Sequence, residues 1–326
     1  MVDNFIQIKE SFNNPLVKKI VNVYQTANFI NGSPPGLGDY LRGSICLYQS
    51  AKLLNLEFDM DFKTHPISHF IQVSEDQKNY NVNNSQLYRF ENLNYTSTEL
   101  GKYHTDSVTF LRDFVNHLNS LNETNPNLKD GIYYLFCNSF PIFPKYSEQA
   151  IANIQSKLIP MDLMIENIEK KMNALGVTPK DYNVIHIRCG DSFILDPHKA
   201  SNNDNNTVEH GSSIKTKSTF IIKILYILTR YLDKNKKYVI LSDNNEVKLF
   251  IKRRFPNCCI IQTTPIVHMG QSITMNTDGI MHTLLDFYIM SNANNILSLS
   301  GYTWGSGFSK WCSVIFNVPY KTYNIN

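Results

Sequence analysis

The sequence predicts an α/β protein with two domains, in which helices cover parallel sheets. The chain has 326 residues, which is beyond the size of about 250–300 residues at which one hydrophobic core stops growing. In the C-terminal half, short apolar runs alternate with helical patterns of about ten residues or more, as in βαβ units. Several of these runs end in polar or glycine residues, at the sheet edge where parallel sheets bind their ligands.

The C-terminal half contains the clearer elements. Strands are predicted at the short, mostly apolar runs Asn183–Arg188, Tyr238–Leu241, Cys258–Ile261 and Ile296–Leu299. Helices are predicted where apolar residues recur on a helical period, at Phe220–Leu232, Glu246–Arg254, Thr283–Ala293 and Ser306–Ile315. Pro256 ends the second of these helices.

The N-terminal half is less regular. Helices are predicted at Leu41–Leu54 and Ser107–Leu121, and an apolar strand at Ile132–Cys137. Residues 56–62 alternate between apolar and charged side chains, as in a half-buried strand. The polar stretch Ser74–Thr98 has no assignment.

A domain boundary is expected between residues 145 and 178. Ser147–Leu175 has the pattern of one or two helices broken at Pro160. We therefore predict an N-terminal domain at 1–150, a helical connector at 151–178 and a C-terminal domain at 179–326.

Composition excludes several classes of protein. Hydrophobic residues make up 42% and charged residues 18% of the chain, which is a globular balance and not a disordered one. The net charge of +3 is too small to make nucleic acid or an anionic membrane a general partner. No stretch reaches the roughly 20 apolar residues that span a bilayer. Residues 1–13 lack the apolar core of a signal peptide, so we expect a cytoplasmic protein.

The six cysteines show neither C-x-x-C spacing nor a disulfide framework, so buried free thiols are expected. No cluster of His and Cys has zinc spacing. Asp59-Met60-Asp61 matches the D-x-D metal motif of one class of glycosyltransferases. Because both carboxylates alternate with Phe58, Met60 and Phe62, we expect them on the exposed face of a strand, with no metal bound.

The segment His186-Ile187-Arg188-Cys189-Gly190-Asp191 ends the first strand of the C-terminal half. An arginine fork at a strand end suits bidentate phosphate binding, and His186 can bind the same phosphate or orient Arg188. Gly190 permits a tight turn. The alternative is a surface pair of Arg188 with Asp191 and a histidine whose hydrogen bonds are satisfied.

The segment Gly36-Leu37-Gly38-Asp39-Tyr40-Leu41-Arg42-Gly43 opens a helix. Glycines before a helix let backbone N–H groups approach an anion, which the positive end of the helix dipole also favours. No Gly-Lys-Ser/Thr follows, so this is not a P-loop. The alternative is a glycine-rich helix start that Asp39 caps without any ligand.

Two further places put polar residues near strand ends. Asp286 lies inside an apolar helix, where a carboxylate needs a specific partner; the alternative is that it caps a loop. The strand that follows ends at Ser300, Gly301, Tyr302 and Thr303, a turn that can accept an anion. Asp243 follows another strand and either lines the site or, as we favour, caps the next helix.

Taken together, these segments resemble the GDP-fucose-dependent fucosyltransferases of GT-B type, which include α1,2-, α1,6- and protein O-fucosyltransferases. His186–Asp191 is similar to the H-x-R-x-x-D motif of that superfamily, and Asp286 with the turn at 300–303 is similar to its last motif. Gly36–Arg42 looks like its glycine loop. The resemblance covers residues 30–55 and 180–318, with the three motifs in the same order and at matching separations. It implies a GT-B-like fold of two Rossmann-like domains facing a cleft.

The resemblance also implies roles for these residues. Arg188 holds the β-phosphate of GDP-fucose as it departs, with His186 alongside, and no metal or other cofactor takes part. Asp286 contacts guanine, while Gly301, Tyr302 and Thr303 contact phosphate. The remaining residues expected at the donor are Gly36, Gly38, Arg42, Asp191, Asp243 and Ser300.

The resemblance predicts inverting transfer of fucose to a carbohydrate hydroxyl, which needs a general base. Asp196 occupies the register of the acid found ten residues after the motif histidine in α1,6-fucosyltransferases, and Asp39 and Asp191 are rivals. Two departures stand out: Gly301-Tyr302 replaces the frequent Ser-Ser or Ser-Phe, and His186–Asp191 holds one arginine where many relatives have two.

Alternatives stay open. The chain can be a GT-B transferase for another nucleotide sugar, or a carbohydrate-binding relative without catalysis. A dinucleotide oxidoreductase lacks support, because no G-x-G-x-x-G follows a first strand. The expected partners are a nucleotide-sugar donor and a glycan acceptor, with no nucleic acid and no transmembrane segment.

Overall fold

The computed structural model describes residues 2–25, 35–91, 107–143, 145–189, 217–264, 269, 277–302 and 305–325. The chain divides into two compact units, Met1–Ile159 and Pro160–Asn326. The division falls within the predicted connector at 151–178, whose first helix belongs to unit 1 and whose second belongs to unit 2. Among the described residues, no helix is both long and apolar enough to cross a bilayer.

Unit 1 is an α/β unit. Its helices are α1 (Val2–Glu10), α2 (Leu37–Leu53), α3 (Glu75–Asn79), α4 (Ser107–Ser120) and α5 (Glu148–Ser156), with short 3-10 helices at Pro66–His69 and Asn84–Gln86. Its strands are β1 (Lys19–Val23), β2 (Glu57–Asp61), β3 (Tyr88–Phe90), β4 (Leu128–Lys129) and β5 (Ile132–Cys137). The order across the sheet is β2-β1-β5-β3 with parallel pairing, and β4 pairs antiparallel with β5.

The centre of this sheet is buried on both faces, as expected of a parallel sheet covered by helices. In β1, Ile20, Val21 and Val23 are fully buried, and so is the polar Asn22. Helix α2 packs closely on β5 at Gly43. A Cβ at that position would lie 1.8 Å from the carbonyl oxygen of Cys137, so this contact requires glycine.

Unit 2 alternates helix and strand throughout its described length. The helices are α6 (Asp162–Leu175), α7 (Lys217–Tyr231), α8 (Asn245–Arg254), α9 (Thr277–Ser291) and α10 (Gly307–Phe316). The strands are β6 (Asn183–Arg188), β7 (Tyr238–Ser242), β8 (Cys259–Ile260), β9 (Asn295–Ser300) and β10 (Tyr320–Asn324). All five pair in parallel, in the order β10-β9-β6-β7-β8.

Helices cover both faces of the unit 2 sheet. On one face, α7 contributes Phe220, Ile224 and Leu228, and α8 contributes Val247 and Ile251, to a core shared with the sheet. On the other face, Phe308 of α10 lies beside His186 of β6, and the hydroxyl of Ser309 forms a hydrogen bond with that of Ser298 on β9. Helix α9 packs against α6 and α10. The predicted fold class, an α/β protein with helices over parallel sheets, is confirmed.

The predicted elements of the C-terminal half are present, with shifted ends. The helix predicted at Thr283–Ala293 begins at Thr277, and the break at Pro160 separates α5 from α6. The terminal helix α1 and the edge strand β10 were not predicted. Strand β10 is mostly exposed and polar, so it lacks the apolar run that indicates a strand. All six cysteines are buried free thiols, as predicted.

The expectation that Asp59 and Asp61 lie on an exposed face is wrong. Both are buried, at 2% and 0% exposure, because polar groups from several elements meet this face of β2. Asp59 accepts hydrogen bonds or ion pairs from Lys157 at 2.7 Å, Lys19 at 3.6 Å and the hydroxyl of Tyr80. Asp61 accepts the backbone N–H of Lys63 at 2.9 Å.

Candidate functional site

The strand order of unit 2 creates a topological switch point between β6 and β9. From β6 the chain proceeds to β7 and then β8 on one side, whereas β9 and β10 lie on the other. In register, Arg188 at the end of β6 is opposite Ser300 at the end of β9. Since ligands of open parallel sheets bind where the strand order reverses, Arg188 and Ser300 mark the expected site.

Arg188 is held in place by Asp243, which follows β7. Its Nη1 donates to Asp243 Oδ2 at 2.6 Å, and the backbone N–H of Cys189 donates to Asp243 Oδ1 at 2.8 Å. The side chains are 20% and 9% exposed. This pair replaces the helix cap that we favoured for Asp243; Asn244 caps α8 instead, by accepting from the N–H of Val247. Asp243 therefore lies at the candidate site, and its contact with a donor stays a prediction.

The turn after β9 lies against Arg188. The N–H of Gly301 donates to the carbonyl oxygen of Arg188 at 3.2 Å, and the N–H of Tyr302 donates to Ser300 Oγ at 3.1 Å. The ring centroid of Tyr302 is 5.6 Å from the guanidinium carbon of Arg188. Both amides thus have protein acceptors, so phosphate contact by this turn stays a prediction.

His186 is buried and lies two residues before Arg188 on β6. In the register of the sheet it is opposite Ser298 of β9. Among the described residues, no group forms a hydrogen bond with its Nδ1. Burial lowers the pKa of His186 to about 4, with the charge of Arg188 adding to the effect and that of Asp243 opposing it. The imidazole is therefore neutral near pH 7. A buried ring nitrogen without a partner is costly, which points to a ligand at this position.

The start of α10 lies next to this histidine. The ring of Phe308, in the first turn, is 5.9 Å from the His186 ring. The N-cap residue Ser306 makes no side-chain hydrogen bond to the helix. The first N–H groups of α10, with the positive end of the helix dipole, thus add to an anion-compatible environment at the carboxyl end of β9.

Asp286 has the specific partner that its position in an apolar helix predicts. Lys171 of α6 donates to Asp286 Oδ1 at 2.6 Å, and the two side chains are 4% and 18% exposed. Sequence reasoning missed Lys171, although its place beside Met172 and one turn before Leu175, on the buried stripe of α6, was a usable signal.

Lys248 of α8 is a second lysine that sequence reasoning missed. It is 1% exposed, and its Nζ donates to the carbonyl oxygen of Gln262 at 3.1 Å. Burial lowers the pKa of Lys248. The nearby charges of Asp286 and Asp243 oppose this effect, and the charge of Lys171 adds to it. The signal was its place between Val247 and Ile251, on the buried face of the helix.

We call Arg188, Lys171, Lys248, Asp243 and Asp286 the charged cluster. Among the described residues, which leave out Asp191, three basic side chains lie near two carboxylates and His186 adds no charge, so the charges of this group sum to a surplus positive charge. Such a surplus in a buried setting is costly unless an anion joins it. The arrangement therefore suits an anionic ligand at the switch point.

In unit 1, the predicted cap at the glycine segment is corrected. Gly36, and not Asp39, is the N-cap of α2, with an extended backbone; Gly38 and Asp39 lie in the first turn. Arg42 pairs with Asp39 at 3.3 Å and donates through Nε to the carbonyl oxygen of Asn138 at 2.7 Å. Contact of Gly36, Gly38 and Arg42 with a donor stays a prediction.

Three predicted site residues, Asp191, Asp196 and Thr303, lie outside the described residues. Within the described part of the chain, no group of three or more His, Cys, Asp or Glu side chains is placed to hold a metal ion.

No protein-family model matches the chain, and no curated protein matches it in sequence. Solved structures match it in fold. Fucosyltransferase NodZ from Bradyrhizobium is 13% identical with a TM-score of 0.51, over 94% of this chain and 95% of that one. NodZ α-1,6-fucosyltransferase soaked with GDP-fucose is 12% identical with a TM-score of 0.51, over 92% of each chain. A mutant of Arabidopsis thaliana FUT1 in complex with GDP is 10% identical with a TM-score of 0.51, over 99% of this chain and 75% of that one. The chain thus shares the fold of these fucosyltransferases.

Proposed function

We propose that this chain is a glycosyltransferase that moves fucose from GDP-fucose to a hydroxyl of an acceptor carbohydrate, with inversion and without a metal ion. The observation that carries the proposal is the charged cluster at the switch point. Among the residues that the structure describes, its cations outnumber its carboxylates beside a neutral His186 whose Nδ1 has no partner. The shared fold supports it, because two of the matching structures are a NodZ α-1,6-fucosyltransferase soaked with GDP-fucose and FUT1 with GDP.

The proposed role of Arg188 is to stabilise the leaving group. When the bond between the anomeric carbon and the β-phosphate oxygen breaks, the electron pair stays on GDP and its negative charge increases. A guanidinium that Asp243 already holds in place stabilises this charge without reorganisation. The positive charge of the cluster thereby supplies what a divalent ion supplies in other transferases.

The proposed role of His186 is a hydrogen bond to the same diphosphate. A neutral imidazole has one N–H donor and one acceptor nitrogen. With the proton on Nδ1, the buried ring can donate to a phosphate oxygen and satisfy the nitrogen that lacks a partner. Its pKa of about 4 keeps it a hydrogen-bond donor and not a second full charge.

The proposed role of Asp286 is recognition of guanine. The N1–H and N2–H groups of guanine are donors, and an ionised carboxylate is an acceptor only. Lys171 occupies one side of Asp286 Oδ1, which leaves Oδ2 for the base. Adenine presents an acceptor at N1 and would be repelled.

The acceptor hydroxyl must lose a proton as it attacks from the side opposite GDP. We propose Asp196 as this base, with Asp39 and Asp191 as the rivals. Of these, Asp39 is described; its side chain is 42% exposed and pairs with Arg42, which makes it the less available proton acceptor.

The test is calorimetric titration, in the presence of a chelator, with GDP, GDP-fucose, GDP-mannose, UDP-sugars and ADP. Wild type is expected to bind the guanine nucleotides selectively. Arg188→Ala should weaken GDP binding on the order of 10- to 100-fold, because a charged contact is lost. Arg112→Ala, at an exposed position of α4, is the matched control and should bind as wild type does.

The outcomes separate the alternatives. Tight binding of UDP-sugars would keep the transferase but overturn the fucose donor. Binding of GDP-fucose without release of GDP, across a panel of acceptor glycans, would indicate a binding protein. A product whose anomeric configuration equals that of the donor would overturn inversion.

A further inference from the structure

The positive charge of this chain is concentrated in one stretch of sequence. Residues 217–254 contain ten basic and three acidic residues, a net charge of +7, although the whole chain carries only +3. The remainder of the chain is therefore net negative. This stretch consists mainly of helices α7 and α8, and Glu246 is the one acidic residue within the two helices.

The two helices are neighbours that cover the same face of the unit 2 sheet. Helix α7 connects β6 to β7, and α8 connects β7 to β8, and these strands are adjacent. Phe220, Ile224 and Leu228 of α7 share one core with Val247 and Ile251 of α8. The sides of both helices that face away from the sheet therefore belong to one surface.

This surface exposes large apolar side chains. Ile222 and Tyr226, one turn apart on α7, are 65% and 59% exposed; Leu249 and Phe250 on α8 are 42% and 38% exposed. A surface helix of a soluble domain normally carries polar residues at such positions. Large apolar side chains exposed on one surface in this way mark an interaction site.

Arginines accompany these apolar side chains. The guanidinium of Arg230 lies 3.5 Å from the ring centroid of Tyr226, and Arg253 Nε donates to the carbonyl oxygen of Leu249. Arg253 and Arg254 are exposed. We call Ile222, Tyr226, Leu249, Phe250, Arg230, Arg253 and Arg254 the basic apolar face.

We propose that the basic apolar face docks this protein on the surface of an anionic lipid bilayer. Aliphatic and aromatic side chains among arginines fit the boundary between lipid headgroups and acyl chains, where cations meet anionic headgroups. A nucleic acid would use the arginines but leave Ile222 and Phe250 in water. Two copies of the face would repel each other, because both carry the same charge. The proposal is independent of the proposed function.

The test is co-sedimentation of the full chain with vesicles. Vesicles of equal parts phosphatidylcholine and phosphatidylglycerol are expected to bind the protein, whereas vesicles of phosphatidylcholine alone are not. Binding should weaken with added salt. Arg253→Glu with Arg254→Glu, and separately Ile222→Ser with Phe250→Ser, should each lower the partition coefficient by about tenfold or more.

The control variants make the same kinds of change, a charge reversal and the removal of an exposed apolar side chain, outside the basic apolar face. Lys78→Glu with Lys170→Glu changes the net charge equally at side chains that are 57% and 70% exposed. Leu163→Ser removes an apolar side chain that is 57% exposed. Neither control should alter vesicle binding, and because all the changed side chains are at the surface, thermal unfolding should report intact folding.

Three results would overturn the proposal. The first is no binding to the anionic vesicles at low salt. The second is an equal loss of binding in the controls. The third is a different occupant: duplex DNA bound at the same salt in place of vesicles, or a dimer that Phe250→Ser abolishes.

Discussion

Each unit buries a group of charged side chains, and the two groups differ in how their charges are matched. In unit 1, two lysines are matched by two carboxylates: Lys157 pairs with Asp59, and Lys19 pairs with Asp59 and the exposed Asp76. In the described part of unit 2, the charged cluster has three cations for two carboxylates, next to a His186 nitrogen that has no partner there. A group whose charges satisfy one another stabilises a fold. A group with a surplus charge and an open hydrogen-bonding atom is suited to a ligand.

Lys157→Met should separate these two roles most clearly. It removes the ammonium 2.7 Å from the buried Asp59, while Lys19 remains at 3.6 Å. We expect unfolding in urea to show a loss of about 2–3 kcal/mol, somewhat less than the loss of a buried charge's sole partner. GDP affinity should stay within about twofold of wild type, because unit 1's group belongs to the fold.

Lys170→Met is the control for this loss, since Lys170 is 70% exposed and pairs with the exposed Glu166. It should change stability by less than about 0.5 kcal/mol. Unchanged stability in Lys157→Met would contradict a structural role for the Asp59 group.

The pH dependence of stability should report the buried His186. Its folded pKa of about 4 lies below its unfolded value of about 6.5. Between these values the unfolded chain binds a proton that the folded chain does not, so stability is full above about pH 6.5 and falls as the pH drops. We expect His186 to account for a loss of about 2–3 kcal/mol by pH 4.

Urea unfolding of wild type and His186→Gln across this range measures the effect. The variant should lose less stability on acidification. A residual slope of the same sign is expected from His117, because burial lowers its pKa to about 4 as well. Identical slopes for both proteins would contradict the buried neutral imidazole.

Lys171→Met should reduce selectivity for guanine, if Asp286 reads the base as proposed. The variant leaves the carboxylate of Asp286 without its 2.6 Å partner, so its orientation toward guanine loosens. We expect calorimetry to show the preference for GDP over IDP, which lacks the N2 amino group, falling by about tenfold, or about 1.4 kcal/mol. Lys171→Arg should retain the preference. An equal weakening of both nucleotides would assign Lys171 a merely structural role.

The smallest of these effects is expected for Asp61→Asn, which should raise the free energy of unfolding instead of lowering it. Burial raises the pKa of Asp61 to about 6, above the unfolded value of about 3.9. The folded state therefore holds the proton more tightly, and stability from this group is lost as pH rises through 6. The amide removes that cost, so we expect a gain of about 1 kcal/mol at pH 7 that disappears near pH 4.

Asp59→Asn is the comparison for this variant. Burial pushes the pKa of Asp59 up, but its hydrogen bonds with Lys157 and Tyr80 outweigh burial and lower it. Its contribution to stability is present at neutral pH and lost on acidification, so Asp59→Asn should destabilise at pH 7. A gain in both variants would contradict the different environments of the two carboxylates.

The sequence predicted those features of the fold and the site that arise from local pattern. Apolar runs ending at Arg188 and Ser300 indicated strands that meet at one sheet edge, and a carboxylate in an apolar helix indicated a partner for Asp286. The partners themselves were not predictable, since Lys171 is 115 residues from Asp286 and no local pattern pairs them.

The errors arose where one local signal fitted two environments. Alternation in β2 fits a strand with one exposed face, but it also fits a strand whose second face is covered by α3, Tyr80 and Lys157. Asp243 occupies a position typical of a helix cap, but Asn244 caps α8 and Asp243 forms an ion pair with Arg188. Tertiary contacts decided both cases.

The most direct test of the central claim is calorimetric titration of the wild-type protein with GDP and with guanosine, in a chelator. If the surplus positive charge of unit 2 is a diphosphate site, GDP should bind at least about 100-fold more tightly than guanosine, since charge-assisted contacts add to those of the base. Equal affinities, or no binding of GDP, would contradict the account.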